Sequence, residues 1–237
     1  MTNDQFLADG RYCDWHDPAI LSCAREVTQG LSAPIARAIA LFQFVRDDVR
    51  YTFGPWGIPA SDTLQRREGV CTNKANLLVA LFRATGIPAA FGLLQVNPRE
   101  YYGVVAPPYL KPFVSDRSLH VYAAARLEDV WVRCDPSTDR EIATKTAHYC
   151  RQTRLIEWDG RQDALDFLQP QHVYADLGLR ACIDDLLDKP ARHAQPETLA
   201  AINDYVRFIR TSPPFASAEA LIAHYARERG IAPGEPT

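Results

Sequence analysis

No stretch of this sequence approaches the roughly 18 consecutive apolar residues that a membrane-spanning helix requires, so no membrane partner is expected. The opening residues, Met1 to Asp14, are polar and acidic. They lack the basic start and apolar middle of a secretory leader, which makes a cytoplasmic location the expectation. Neither sign of charge dominates, the net charge being −3 over 237 residues. Without a basic field to hold a phosphate backbone, nucleic acid is not an expected partner. The six cysteines, Cys13, Cys23, Cys71, Cys134, Cys150 and Cys182, form no C-x-x-C pair, which argues against a zinc ribbon or finger. His148, His172, His193 and His224 have no metal-ligand spacing, and no D-x-D-x-D-G calcium loop is present. Internal repeats and low-complexity tracts are also missing.

What remains is a globular composition, 47% apolar and 23% charged. The length suffices for one sizeable core, or a core with a smaller appended module. In a reducing compartment the cysteines are free thiols. Each is then either a small buried hydrophobe or a nucleophile.

Periodicity divides the chain. Residues 17–30 predict a short helix opened by Asp17-Pro18 and stopped by Gly30. A second helix follows, with Ser32 as its cap, Pro34 in its first turn, and Ile35, Ile39, Phe42, Val45 and Val49 at helical spacing. Tyr51 to Asp62 reads as a loop. Cys71 to Thr85 reads as a buried helix ended by Gly86 and Pro88. Ala89 to Val96, Leu119 to Leu127 and Val130 to Cys134 are strand-like, the last two joined by the turn Glu128-Asp129. Between the first two of these runs, Asn97 to Ser118 is a long loop rich in Pro and Tyr. Beyond about residue 146, His172 to Leu187, Pro196 to Arg210 and Phe215 to Arg229 read as helices separated by Lys189-Pro190 and Ser212-Pro213-Pro214. Helices, then strands, then helices again predict an α+β fold. The expected division is a catalytic core over 1–145 and a helical extension over 146–237 packed on it.

Three short stretches carry chemistry. In Gly69-Val70-Cys71-Thr72-Asn73-Lys74-Ala75 a cysteine opens an apolar helix just after a glycine. Unpaired N–H groups and the helix dipole stabilise a thiolate there. A buried structural cysteine fits the same local pattern equally well. His120, in Leu119-His120-Val121-Tyr122, lies on a strand where a lone histidine is more often structural. Asp135 closes the strand Trp131-Val132-Arg133-Cys134-Asp135-Pro136, where an acid can simply begin a turn. Pairing around Glu128-Asp129 sets His120 near residues 136–138, close to Asp135, so the carboxylate could orient the imidazole.

In order and spacing together, these stretches resemble the transglutaminase-like superfamily, also called the papain-like transglutaminase core. That family places a nucleophilic Cys at a helix start after a Gly, a His on a strand, and an Asp on the next strand. Phe44-Val45-Arg46-Asp47-Asp48-Val49-Arg50-Tyr51 resembles its preceding helix, and Leu77 to Pro88 its cysteine helix with the following Gly-Ile-Pro. The resemblance implies N-terminal helices packed on an antiparallel sheet, and a Cys71–His120–Asp135 triad. Thr72 stands where calcium-dependent animal transglutaminases carry Trp, which counts against protein crosslinking. The two C-x-x-C pairs of the peptide:N-glycanase branch are also missing.

The implied chemistry is a thioester acyl-enzyme on Cys71, formed from an amide or thioester and passed to an amine, with a role in small-molecule biosynthesis. It calls for no metal or organic cofactor. The expected partner is a small-molecule or peptidyl acyl substrate, free or carrier-bound. Trp56, Asn73 and Lys74 are candidate substrate or oxyanion contacts by proximity to Cys71, and Lys74 reads equally as a lysine on a solvated helix edge. Tyr102, in the aromatic loop with Tyr101, Tyr109 and Phe113, is a candidate cover for the acyl site. The alternatives are a cysteine peptidase or amidase with the same triad, and a non-catalytic binding module.

Overall fold

The computed structural model describes residues 3–102, 105–165, 170–188 and 195–231. Helix α1 (Pro18–Val27) begins where the Asp17 side chain accepts the Ala19 N–H, with Pro18 in its first turn. Helix α2 (Pro34–Asp48) starts at Ala33 without a side-chain cap, so Ser32 does not cap it. Pro34 already removes one of the N–H groups a cap would satisfy. Strand β1 (Arg50–Tyr51) pairs in parallel with β2 (Glu68–Gly69) across helix α3 (Ala60–Arg66). Helix α4 (Cys71–Ala84) is buried from Cys71 through Arg83.

Strand β3 (Ala89–Val96), the short helix α5 (Pro98–Tyr102), and strands β4 (Ser118–Leu127) and β5 (Val130–Cys134) follow. At the β4–β5 turn Glu128 and Asp129 both have positive φ, 48° and 65°. That is the backbone of a primed two-residue hairpin turn, formed here without Asn or Gly. The turn fixes the register Ala123↔Cys134. Continued outward, it sets His120 opposite Ser137, as the hairpin reading expected.

Helix α6 (Arg140–Thr146) is capped by Asp139. Strand β6 (Val173–Arg180), helix α7 (Asp184–Leu187), helix α8 (Pro196–Thr211) and helix α9 (Ala218–Arg229) complete the order. The main sheet runs β5-β4-β3-β6, antiparallel throughout. None of the described helices is long and apolar enough to cross a membrane.

One expectation is corrected here. Residues 173–180 form an edge strand against β3 rather than the start of a helix. Val173, Ala175, Leu177 and Leu179 alternate with Tyr174, Asp176, Gly178 and Arg180, which is the period of a strand. A bulge opposite Leu93 breaks the register, with Gly178 at φ +77° and its N–H bonded to Asp176 Oδ1 (2.8 Å). Beyond residue 145, β6 joins the main sheet, and Ile156, Trp158, Ala164, Ile183 and Leu187 belong to the main core. Trp158 packs on Phe42 and Phe82. Helices α8 and α9 form a second apolar cluster of Tyr205, Phe208, Ile209, Leu221 and Tyr225, joined by Leu110. Lys189-Pro190 and His193 lie outside the described residues.

Buried cations tie the layers together. Arg83 donates to the carbonyls of Ala8 (2.6 Å), Ala89 (2.9 Å) and Ala181 (2.6 Å), fastening three distant segments. Lys74 is fully buried, and its ammonium donates to the carbonyls of Arg46 (3.2 Å) and Val49 (2.6 Å). It therefore caps the C-terminus of α2 from inside the core. Burial pulls its pKa down, against the raising influence of Asp139 and Asp135, to about 8.

Three predictions follow from this packing. Gly92 lies opposite Tyr122, and a Cβ there would come within 2.0 Å of the tyrosine ring. Gly92→Ala is expected to lower stability by about 2 kcal/mol. Tyr122→Phe removes a buried hydroxyl that has no partner among the described residues. It should leave stability unchanged or raise it by about 1 kcal/mol, both variants being read by urea unfolding. For Lys74, the unfolded chain holds the proton more tightly than the folded one, so its contribution is flat below pH 8. It favours folding increasingly as pH rises from 8 towards the unfolded value of 10.5. The stability of the native chain relative to Lys74→Met is expected to climb across that window by up to about 1.4 kcal/mol per pH unit. A flat difference in unfolding titrations would refute this.

Candidate active site

Cys71 is the first residue of α4, after an extended Val70 (φ −77°, ψ 176°). Gly69 makes this entry possible: a Cβ there would lie 2.7 Å from the Cβ of Asn73. Asn73, in the first turn, accepts the Val70 N–H through Oδ1 (3.1 Å) and donates through Nδ2 to the Trp56 carbonyl (2.8 Å). One side chain thus closes the helix end and binds the preceding loop to it. Thr72 Oγ1 lies 3.9 Å from Cys71 Sγ.

The β4–β5 hairpin brings the other two residues to the thiol. His120 Nε2 and Asp135 Oδ2 form a short hydrogen bond, and the second carboxylate oxygen accepts the Ser137 N–H (2.9 Å). With Nε2 so engaged, Nδ1 is the ring nitrogen left for the hydrogen bond between His120 and Cys71. The Val121 backbone N–H also donates to the thiol. Exposure falls along the series, from 9% at Cys71 to 4% at His120 and 1% at Asp135.

The electrostatics follow from this geometry. Burial pushes the Cys71 thiol up, but the hydrogen bond and charge of His120, with the Val121 N–H, outweigh it and leave the thiol below its ordinary value. Burial pulls His120 down, while the charge and hydrogen bond of Asp135 and the contact with Cys71 raise it to about 10. Both directions favour a thiolate beside an imidazolium. Burial instead raises Cys13 to about 12, Cys23 to about 11, and Cys134 well above the usual thiol range.

The other residues singled out from sequence fall differently. Asn73 bonds to backbone through both ends of its amide, and the Lys74 ammonium donates to two carbonyls at the C-terminal end of α2. Helical spacing placed Lys74 on the cysteine side of α4, but that side meets another helix rather than solvent. Trp56 is half-buried against the core and joined to the cysteine helix through its carbonyl. Tyr102 ends α5, and its side chain lies outside the described part of the structure. In the rest of that loop, Leu110 and Tyr109 pack on α8 and α9. Sequence reasoning passed over Ser137 and Asp139. Asp139 was detectable as an acid just before the helical run Arg140 to Thr146, where its Oδ1 accepts the Ile142 N–H (2.9 Å). Among the described residues no group of His, Cys, Asp and Glu side chains could hold a metal ion.

Comparison with known proteins agrees with this architecture. No curated protein sequence matches the chain significantly. A solved structure of a candidate cysteine protease from Cytophaga hutchinsonii superposes with a TM-score of 0.51 at 19% identity, over 78% of this chain and 50% of that one. The chain thus spans half the length of that protein, and the likeness is one of fold. The periplasmic domain of TgpA from Pseudomonas aeruginosa superposes less well, with a TM-score of 0.39 at 21% identity, over 57% of this chain and 48% of that one. The model of the transglutaminase-like superfamily matches residues 22–136, a segment that holds Cys71, His120 and Asp135. Over those residues, a little under half of the chain, this protein is similar to the transglutaminase-like superfamily.

Proposed function

We propose that the protein is a cysteine-nucleophile acyl-transfer enzyme in which Cys71 attacks, His120 carries the proton, and Asp135 orients the ring. The observation that carries this reading is the lowered Cys71 thiol, hydrogen-bonded to a histidine whose other nitrogen rests on a buried carboxylate. A structural cysteine in the same core would be raised by burial, as Cys134 is. The thiolate adds to an amide or thioester carbonyl, and the carbonyl oxygen becomes an oxyanion. The Cys71 N–H, in the first turn of α4, is free of intrahelical bonds and supplies one donor for that oxygen. His120 gives its proton to the departing amine or thiol, leaving a thioester on Cys71. It then takes a proton from the acceptor, and Asp135 holds the imidazole for both transfers. In this reading the acceptor is an amine and the product an amide, as in small-molecule biosynthesis. Water as acceptor would make the same site that of an amidase or peptidase.

The test is a brief iodoacetamide pulse from pH 5 to 9 with mapping of the modified peptides. Cys71 is expected to label rapidly below pH 7, because its thiol ionises low and His120 stays protonated up to about 10. His120→Ala removes the stabilising partner and leaves the burial, so the rate at pH 6.5 should fall by about 100-fold or more, below that of an ordinary thiol. A wild-type Cys71 that labels only near pH 8 to 9 would overturn the proposal. Incubation with an aryl thioester should then give an acyl adduct on Cys71 by mass spectrometry. Its transfer to an added amine, or its release as the free acid, separates the two acceptors.

A further inference from the structure

We infer that helix α8 is a brace for the catalytic residues, with Arg210 as a positioning residue for the carboxylate arm of the triad. The inference rests on the acyl-transfer reading above. Arg210 is nearly buried, at 10% side-chain exposure, and its Nη2 donates both to Asp139 Oδ2 and to the Tyr51 carbonyl (2.7 Å). Asp139, 1% exposed, also accepts the Tyr51 N–H (2.7 Å) on Oδ2, while Oδ1 caps α6. Asp135 and Asp139 stand at the two ends of one short connection. His120 and the Ser137 N–H hold the first end, and Arg210 and Tyr51 hold the second.

A second arm leaves the same helix. Asn203 Oδ1 accepts the Phe53 N–H and Asn203 Nδ2 donates to the Phe53 carbonyl, both at 2.8 Å, so the amide pairs with this backbone as a neighbouring strand would. From Phe53 the chain runs to Trp56, whose carbonyl receives Asn73, the residue that closes the helix end at Cys71. Helix α8 therefore reaches the nucleophile through Asn203 and the acid through Arg210. Tyr205, Phe208 and Ile209 pack α8 on α9 and Leu110 in the second apolar cluster, away from the triad. The guanidinium buried against the connection that carries Asp135 is what α8 offers to hold that carboxylate in place. The charged groups around the connection include His120 from β4, Lys74 from α4, Glu141 from α6, which lies 3.3 Å from both Arg50 Nε and Arg210 Nε, and Arg210 itself.

The experiment uses the full chain and reads the iodoacetamide profile of Cys71 together with the melting temperature. Arg210→Met is expected to move the profile about one pH unit upward, a roughly tenfold slower reaction at pH 6.5. Arg207→Met, on the exposed side of the same helix, should keep the native profile. Should Arg210→Met fail to fold, Arg210→Gln, which keeps a donor for Asp139, takes its place with the same expected shift. A folded Arg210 variant with the native profile overturns the role of Arg210 and leaves the acyl-transfer reading standing. An equal shift in Arg207→Met also overturns it, because loosening the helix anywhere would then suffice. A wild-type Cys71 with an ordinary thiol profile overturns the acyl-transfer reading, and this inference with it.

Discussion

A carboxylate at 1% exposure is the constraint from which the rest of this structure follows. An ionised group taken out of water costs several kcal/mol unless partners replace its hydration. Asp135 has such a partner on each oxygen, the His120 ring on one and the Ser137 N–H on the other. The imidazolium is thereby favoured, and its remaining ring nitrogen needs a hydrogen-bond acceptor. Cys71 supplies it from the end of a helix where negative charge is already favoured. Each charge in the row is tolerable only because of the next. That is why a thiolate can stand in a core where Cys13 and Cys134 are driven towards the neutral form.

The same logic extends outward through cations that are buried but bonded. Arg46 donates to the Ile156 carbonyl (2.6 Å) and pairs with Asp47 and Glu157. Lys74 closes α2, and Arg83 joins the N-terminal segment, β3 and the chain just after β6. These contacts replace water for the charges, and they also specify which segments lie side by side. Apolar contacts favour burial without choosing the partner so narrowly.

The sequence is legible where the candidate site sits on regular elements. A glycine before an apolar run marks the helix start at Cys71. The two-residue turn at Glu128-Asp129 fixed a register from which the nearness of His120 and Asp135 could be worked out. It is less legible wherever a residue's meaning depends on a distant neighbour. Helical spacing put Lys74 on the right side of α4, yet nothing local says that α2 covers that side. Asn73 offered an amide beside the nucleophile, and only the fold shows both ends of it used on Val70 and Trp56. The strand at 173–180 had the period of a strand, but Gly178 shifts its phase and its partner β3 lies far back in the chain. Asp139 and Arg210 are 71 positions apart, a separation no local pattern encodes.

The bulge in β6 has a consequence for how copies of this protein behave toward one another. β6 is an outer strand of the main sheet, and a regular outer strand offers an evenly spaced row of N–H and C=O groups to any other strand that meets it. The extra residue beside Gly178 interrupts that spacing and twists the strand away from a flat template. Asp176 and Arg180 place charge on either side of the interruption. A second copy approaching this rim would therefore find no continuous ladder to extend, and the sheet resists growing from one molecule into the next even though Tyr174 and Leu177 leave apolar surface along it.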